Sequence, residues 1–227
     1  MKLYIGNKNY SSWSMRPWVL LKAFGIPFDE IKLRFDFTPG SAFYQALQPL
    51  TPTGKVPVLV EDDGFAVWDT LAITEAIAEL HPEHAIWPRE RQQRARARSL
   101  CAEMHAGFGK LRGLCPMNID ADLRAVGAKL LSTEPALHAD LARMDALWCE
   151  ALAASGGPFL FGSTFGAVDA YFAPVVMRVT RYGLPLSAAA AGYATAIEQH
   201  PAVAAWIKDA IAEQDFLDFE EPYRQAP

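Results

Sequence analysis

The spacing of apolar positions changes partway along the chain. Lys2–Ile5 reads as a short strand and Gly6–Ser12 is polar. Ser14–Phe24 carries apolar side chains at helical spacing, with Gly25 and Pro27 placed to stop the helix. Phe28–Arg34 alternates as a strand does, and Ser41–Leu47 fits a short second helix. Val58–Glu61 and Phe65–Trp68 read as strands joined by Asp62-Asp63-Gly64, a hairpin signal. Thr70–Leu80 follows as a helix with Asp69 or Thr70 as its cap. The predicted order is β-α-β-α-β-β-α. Beyond it the pattern is helical: Arg89–Leu114, Asp120–Leu131, Glu134–Ala154, Ala167–Tyr182, Ala190–His200 and Ala202–Glu213. Pro116, Pro135, Gly156-Gly157-Pro158, Pro185 and Pro201 mark the breaks.

Composition sharpens this division. Residues 1–90 hold 8 alanines and residues 91–227 hold 29, and alanine favours helix. We read a mixed α/β domain over 1–81, a linker over 82–88 between Pro82 and Pro88, and an all-helical domain over 89–227. A chain of 227 residues with 51% apolar and 21% charged residues is an ordinary globular protein, not a disordered or disulfide-scaffold one. The net charge of −5 argues against nucleic acid as a partner. Arg89, Arg91, Arg94, Arg96 and Arg98 are spread around a helix and do not form one stripe. No run reaches the roughly 20 apolar residues that span a bilayer, so no membrane partner is expected, and the start of the chain lacks a hydrophobic signal core. Cys101, Cys115 and Cys149 are widely spaced and odd in number, which points to reduced thiols and a cytoplasmic location. They read as buried small hydrophobes rather than nucleophiles. The histidines show no metal-ligand spacing.

Three local patterns carry a specific resemblance. They are Gly54-Lys55-Val56-Pro57-Val58-Leu59 before the third strand, Trp68-Asp69-Thr70-Leu71-Ala72-Ile73 opening the third helix, and Phe165-Gly166-Ala167-Val168-Asp169-Ala170 in the helical part. In this order and spacing the chain resembles cytosolic glutathione transferases over essentially its whole length. Tyr10-Ser11-Ser12-Trp13-Ser14-Met15-Arg16 is similar to the Ser-Ser-Cys-Ser motif of the zeta class, which includes maleylacetoacetate isomerases, with Trp13 in place of the cysteine. The resemblance implies a thioredoxin-like first domain, glutathione as cosubstrate and a homodimer that pairs the first domain of one subunit with the second domain of the other; by charge, Arg89–Arg98 is a candidate to meet acids such as Asp62 and Asp63 across the axis.

A free thiol titrates near about 8.5, so such an enzyme must favour the thiolate. A hydroxyl at a helix start, beside the helix's positive end, does this. The resemblance points to Ser11 as the thiolate partner, with Ser12 as the alternative. It implies that Val56 pairs with the cysteinyl backbone of glutathione, beside a cis Pro57. Thr70 and its amide would take the γ-glutamyl carboxylate, Asp69 the ammonium and Lys55 the glycine carboxylate. The electrophile would lie between the domains against Trp13, Met104, His105 and Phe108. Arg181, in a stretch matching the zeta class, would hold a substrate carboxylate, with Arg178 on the same helix face. Asp169 is assigned to folding, as half of a capping box whose hydroxyl residue is replaced by Gly166. Three functions follow from the resemblance: conjugation of glutathione to a small electrophile, glutathione-dependent cis-trans isomerisation of the maleylacetoacetate type, or a binding module without catalysis.

Overall fold

A computed structural model describes residues 1–226 of the chain. The first domain comprises β1 (Lys2–Ile5), α1 (Ser12–Ala23), β2 (Asp29–Lys32), α2 (Ala42–Leu47), β3 (Val58–Val60), β4 (Ala66–Trp68) and α3 (Thr70–Leu80). The strands lie in the order β2-β1-β3-β4. β1 runs parallel to β2, with Tyr4 opposite Ile31. It runs antiparallel to β3, with Leu3 opposite Leu59, and β3 and β4 form the expected hairpin. This is the thioredoxin-like order the apolar pattern predicts. β2 is shorter than the alternation over Phe28–Arg34, because the Phe35 N–H donates to Asn7 Oδ1 at 2.8 Å and draws the chain off the sheet.

The second domain is helical: α4 (Arg91–Ala106), α5 (Gly109–Leu114), α6 (Arg124–Thr133), α7 (Pro135–Ser155), α8 (Ala167–Arg181), α9 (Ala188–Gln199) and α10 (Pro201–Glu213). Two boundaries differ from the sequence pattern. The expected single helix Arg89–Leu114 is broken into α4 and α5. Gly107 is extended and Phe108 adopts φ 54. The Asp140 carboxylate then caps the new start by accepting from the Lys110 and Leu111 amides, both at 2.9 Å. The helix expected from Asp120 starts four residues later, at Arg124. Asn9 Oδ1 takes the Ile119 and Asp120 amides at 2.8 and 2.9 Å, and Asn118 Oδ1 takes that of Ala121. Those side chains hold the segment out of a helix.

The domains share one core. α1 packs on α3, α8 and α10, and most of its residues are buried. Trp18 meets Trp206 edge-on at 5.2 Å between centroids. Lys8, buried between them, bonds Asp209 at 2.6 Å and Glu30 at 2.9 Å and sits 4.5 Å from the Trp18 ring. A smaller cluster of Tyr10, Phe35, Phe43, Leu47 and Val58 is closed by Leu217 from the C-terminal tail. α8 opens as its sequence predicts. Asp169 Oδ2 accepts from the Gly166 amide at 2.9 Å, while Oδ1 takes the Leu160 amide and the Tyr193 hydroxyl.

Candidate active site

A cavity of about 300 Å³ opens between the domains, lined by Trp13, Thr53, Lys55, Val56, Pro57, Trp68, Asp69, Thr70 and His105. Lys55, Val56, Asp69 and Thr70 reach it from the β3 and α3 ends of the first domain, and His105 from the last turn of α4. The Val56–Pro57 peptide bond is cis. Asp69 caps α3, its Oδ1 taking the Leu71 amide at 2.8 Å, and holds φ at 75°. A non-glycine residue rarely adopts that conformation, at a cost of about 1–3 kcal/mol, and such strain gathers at functional positions.

Polar side chains cross the domain boundary as a chain. Asp69 Oδ2 lies 3.3 Å from His105 Nε2. His105 Nδ1 lies 3.3 Å from the Tyr171 hydroxyl, which in turn is 3.0 Å from Thr70 Oγ1. Tyr171 titrates far above its ordinary range because it is buried, so it stays a neutral hydroxyl. Trp13 packs on the His105 ring at 5.0 Å.

Behind Trp13 stands Arg16, fully buried, with its guanidinium carbon 4.0 Å from the Trp13 ring and 4.7 Å from that of Tyr171. Its Nε donates to the Tyr171 carbonyl at 3.0 Å, and its Nη1 has no partner among the described residues. Desolvation lowers this guanidinium to about 9; the two aromatic faces offset part of the cost of burying it.

Both candidate serines sit at the start of α1 and are buried. Ser11, the N-cap, makes no side-chain cap bond; its hydroxyl donates to Ser14 Oγ at 2.7 Å, which also takes the Gly6 amide at 3.2 Å. Ser12 Oγ accepts from Arg178 Nη2 at 3.2 Å. Neither serine is among the residues lining the cavity.

The remaining electrophile-site candidates lie apart from the cavity. Met104 is fully buried in the core, and Phe108 is buried at the break between α4 and α5. Arg181 is engaged elsewhere: its Nε donates to the Ile119 carbonyl at 2.9 Å and its Nη1 pairs with Glu198 Oε1 at 3.0 Å. Sequence reasoning missed Thr53, Trp68 and Tyr171. Trp68 is legible as the residue before Asp69 at the strand end. Tyr171 has no local signal, because only the packing of α8 against α3 and α4 brings it to the site.

The chain thus joins a thioredoxin-like sheet to a helical domain, with a cleft between them at the start of α3. Glutathione S-transferase N-terminal and C-terminal domain profiles match residues 10–80 and 91–209. The chain therefore belongs to the glutathione S-transferase family, whose cosubstrate is glutathione. It is 26% identical over 200 residues to the maleylacetoacetate isomerase of Pseudomonas aeruginosa, covering 83% of this chain and 85% of that one. The crystal structure of a sphingomonad glutathione S-transferase complexed with glutathione superposes with a TM-score of 0.65 at 25% identity, covering 92% and 98% of the two chains. A bacterial zeta-class maleyl pyruvate isomerase shares the fold with a TM-score of 0.65 at 20% identity over all of both chains.

Proposed function

We propose that this glutathione-dependent enzyme binds the tripeptide in the interdomain cavity and presents its sulfur at the start of α1 to a small electrophile. One observation carries this reading: Lys55, Val56, Asp69 and Thr70 line one cavity together with Trp13 and His105 from its other side. Val56 offers backbone groups for strand-like pairing. Thr70 and the α3 amides suit a carboxylate, Asp69 an ammonium, and Lys55 the second carboxylate as a point charge. The sulfur then adds to the electrophile as the thiolate, its proton having left to solvent.

Conjugation is the primary reading. Isomerisation of an unsaturated diacid is the second, favoured by the name of the Pseudomonas relative and by the cations near Trp13. Because Glu198 engages Arg181, the carboxylate-holding role falls in our reading to Arg112. Its guanidinium lies 5.8 Å from the Trp13 ring and, among the described residues, bonds only the Gly107 carbonyl. A panel of aryl halides, epoxides, peroxides and maleylacetone, assayed with and without glutathione, tests the function. Product formation that consumes glutathione identifies conjugation, and turnover that leaves glutathione unchanged identifies isomerisation. No glutathione-dependent turnover of any of them would leave only the non-catalytic module. Arg112→Met should raise KM for maleylacetone about tenfold, the worth of a charge-assisted bond, and leave a neutral aryl halide unaffected. Equal losses on both substrates would make Arg112 a structural residue. A detoxifying role, a cytoplasmic location and a homodimer complete the proposal. Among the described residues no helix is long and apolar enough to cross a membrane.

A further inference from the structure

Three guanidiniums, those of Arg16, Arg112 and Arg178, surround the first turn of α1, and none has a carboxylate partner among the described residues. Buried charges are normally paired, as Lys8 is with Glu30 and Asp209. Arg178 is the one that touches a candidate catalytic group. Its Nε donates to the Cys115 carbonyl at 2.9 Å, its Nη1 to the Pro174 carbonyl at 3.2 Å and its Nη2 to Ser12 Oγ at 3.2 Å. All its hydrogen bonds but the last go to backbone, so among the described residues Ser12 is the only side chain it bonds.

The two serine hydroxyls differ in where their protons go. The proton of Ser11 is used inside the protein, on Ser14 Oγ. Ser12 takes a hydrogen bond from a cation and has no acceptor for its own proton among the described residues. A hydroxyl that accepts from a guanidinium is polarised, which strengthens its own O–H as a donor. Its proton must point away from the guanidinium.

We infer that Arg178, acting through the Ser12 hydroxyl, is a positioning residue that makes Ser12 rather than Ser11 the donor to the glutathione sulfur. This rests on the cavity being the glutathione site. The ionisable groups around Arg178 are Arg16 from α1, Arg112 from α5, Tyr182 at the end of α8 and Cys115 after α5. Tyr182 is pushed up far beyond its usual range and Cys115 to about 12, both by burial, so neither supplies a negative charge at neutral pH. Burial lowers Arg178 itself only to about 10, so it remains a cation at neutral pH and keeps donating to Ser12.

The test is the pH titration of the ultraviolet thiolate absorbance of bound glutathione. It is run on the parent, Ser11→Ala, Ser12→Ala, Arg178→Met, Arg178→Lys and the Ser12→Ala/Arg178→Met double variant, with glutathione affinity measured calorimetrically on each. Ser12→Ala should raise the titration midpoint of the bound thiol by about one pKa unit, a tenfold fall in the thiolate-to-thiol ratio. Ser11→Ala should leave it nearly unchanged. Arg178→Met should match Ser12→Ala, the double variant should add nothing to either, as expected for two members of one coupled unit, and Arg178→Lys should restore part of the loss. If Ser11→Ala carries the shift, or Ser12→Ala leaves the thiolate fraction intact while glutathione still binds, the inference is overturned. A folded Arg178→Met that titrates as the parent overturns it as well, and should Arg178→Met not fold, Arg178→Lys is read against Ser12→Ala in its place. A parent protein that binds no glutathione would instead overturn the reading of the cavity.

Discussion

Thr70 shows how one side chain serves two domains. Its hydroxyl meets Tyr171 of α8 at 3.0 Å, and its backbone opens α3 at the cavity. Thr70→Val keeps the shape but removes the hydroxyl. Hydrogen bonds to charged groups are worth about 1.5–3 kcal/mol, so glutathione should bind about tenfold or more weakly, measured by calorimetry; unchanged affinity would remove Thr70 from the site. The cysteines make a second prediction. Burial pushes the Cys115 thiol up to about 12 and Cys101 well above its usual range. Cys149 is only half-buried, its sulfur 3.1 Å from Ser187 Oγ. One thiol per native chain should therefore react with a disulfide reagent, and Cys149→Ser should abolish that reaction. Rapid labelling of Cys101 or Cys115 would contradict their burial in the core.

At the scale of elements, one close approach and one cap fix how α6 and α5 are held. A Cβ on Gly127 of α6 would lie 1.8 Å from the Tyr182 carbonyl oxygen. Backbone cannot yield cheaply there, so Gly127→Ala should lower the melting temperature by several degrees, about 2–4 °C for each kcal/mol lost in a chain this long. Asp140→Ala should cost about 1 kcal/mol by uncapping α5 and, because Arg112 rides on that helix, should also raise KM for an anionic electrophile. Most elements were legible because their apolar periods are local. The break between α4 and α5 was not, since Arg89–Leu114 reads as one helix and the Asp140 cap lies 30 residues from Lys110. The late start of α6 was hidden for the same reason, its cause being the side chain of Asn9, 110 residues from Ile119. The candidate site divides in the same way. Lys55, Val56, Asp69 and Thr70 lie in short motifs and were readable, as was the serine pair at the helix start. The cationic surroundings of Trp13 and the Glu198 partner of Arg181 exist only once α1, α5, α8 and α9 are packed together.

The whole molecule holds the segment before α1 from the far end of the chain. Glu213 accepts from the Lys8 and Asn9 amides, Asp215 from the Asn7 side chain and Glu221 from the Tyr10 hydroxyl. Removing the chain from residue 214 onward deletes the Asp215, Leu217 and Glu221 contacts. The truncated chain should lose turnover more than it loses helix content by circular dichroism; full activity would show that the segment holds its place without the tail. The expected homodimer would have a mass of about 50 kDa, twice the 25.0 kDa chain, and a 25 kDa particle in light scattering at micromolar concentration would refute it. Arg98 pairs with Glu75 of its own chain at 2.7 Å and Arg89 and Arg94 bond nearby carbonyls, so among the described residues Arg91 and Arg96 are the arginines of that run without a partner. The central claim, that the interdomain cavity is the glutathione site, is tested most directly by a crystal structure with glutathione bound. The γ-glutamyl carboxylate should lie at Thr70, the cysteinyl backbone along Val56 and the sulfur at the first turn of α1. Tripeptide density anywhere else, or an empty cavity at saturating glutathione, would contradict it.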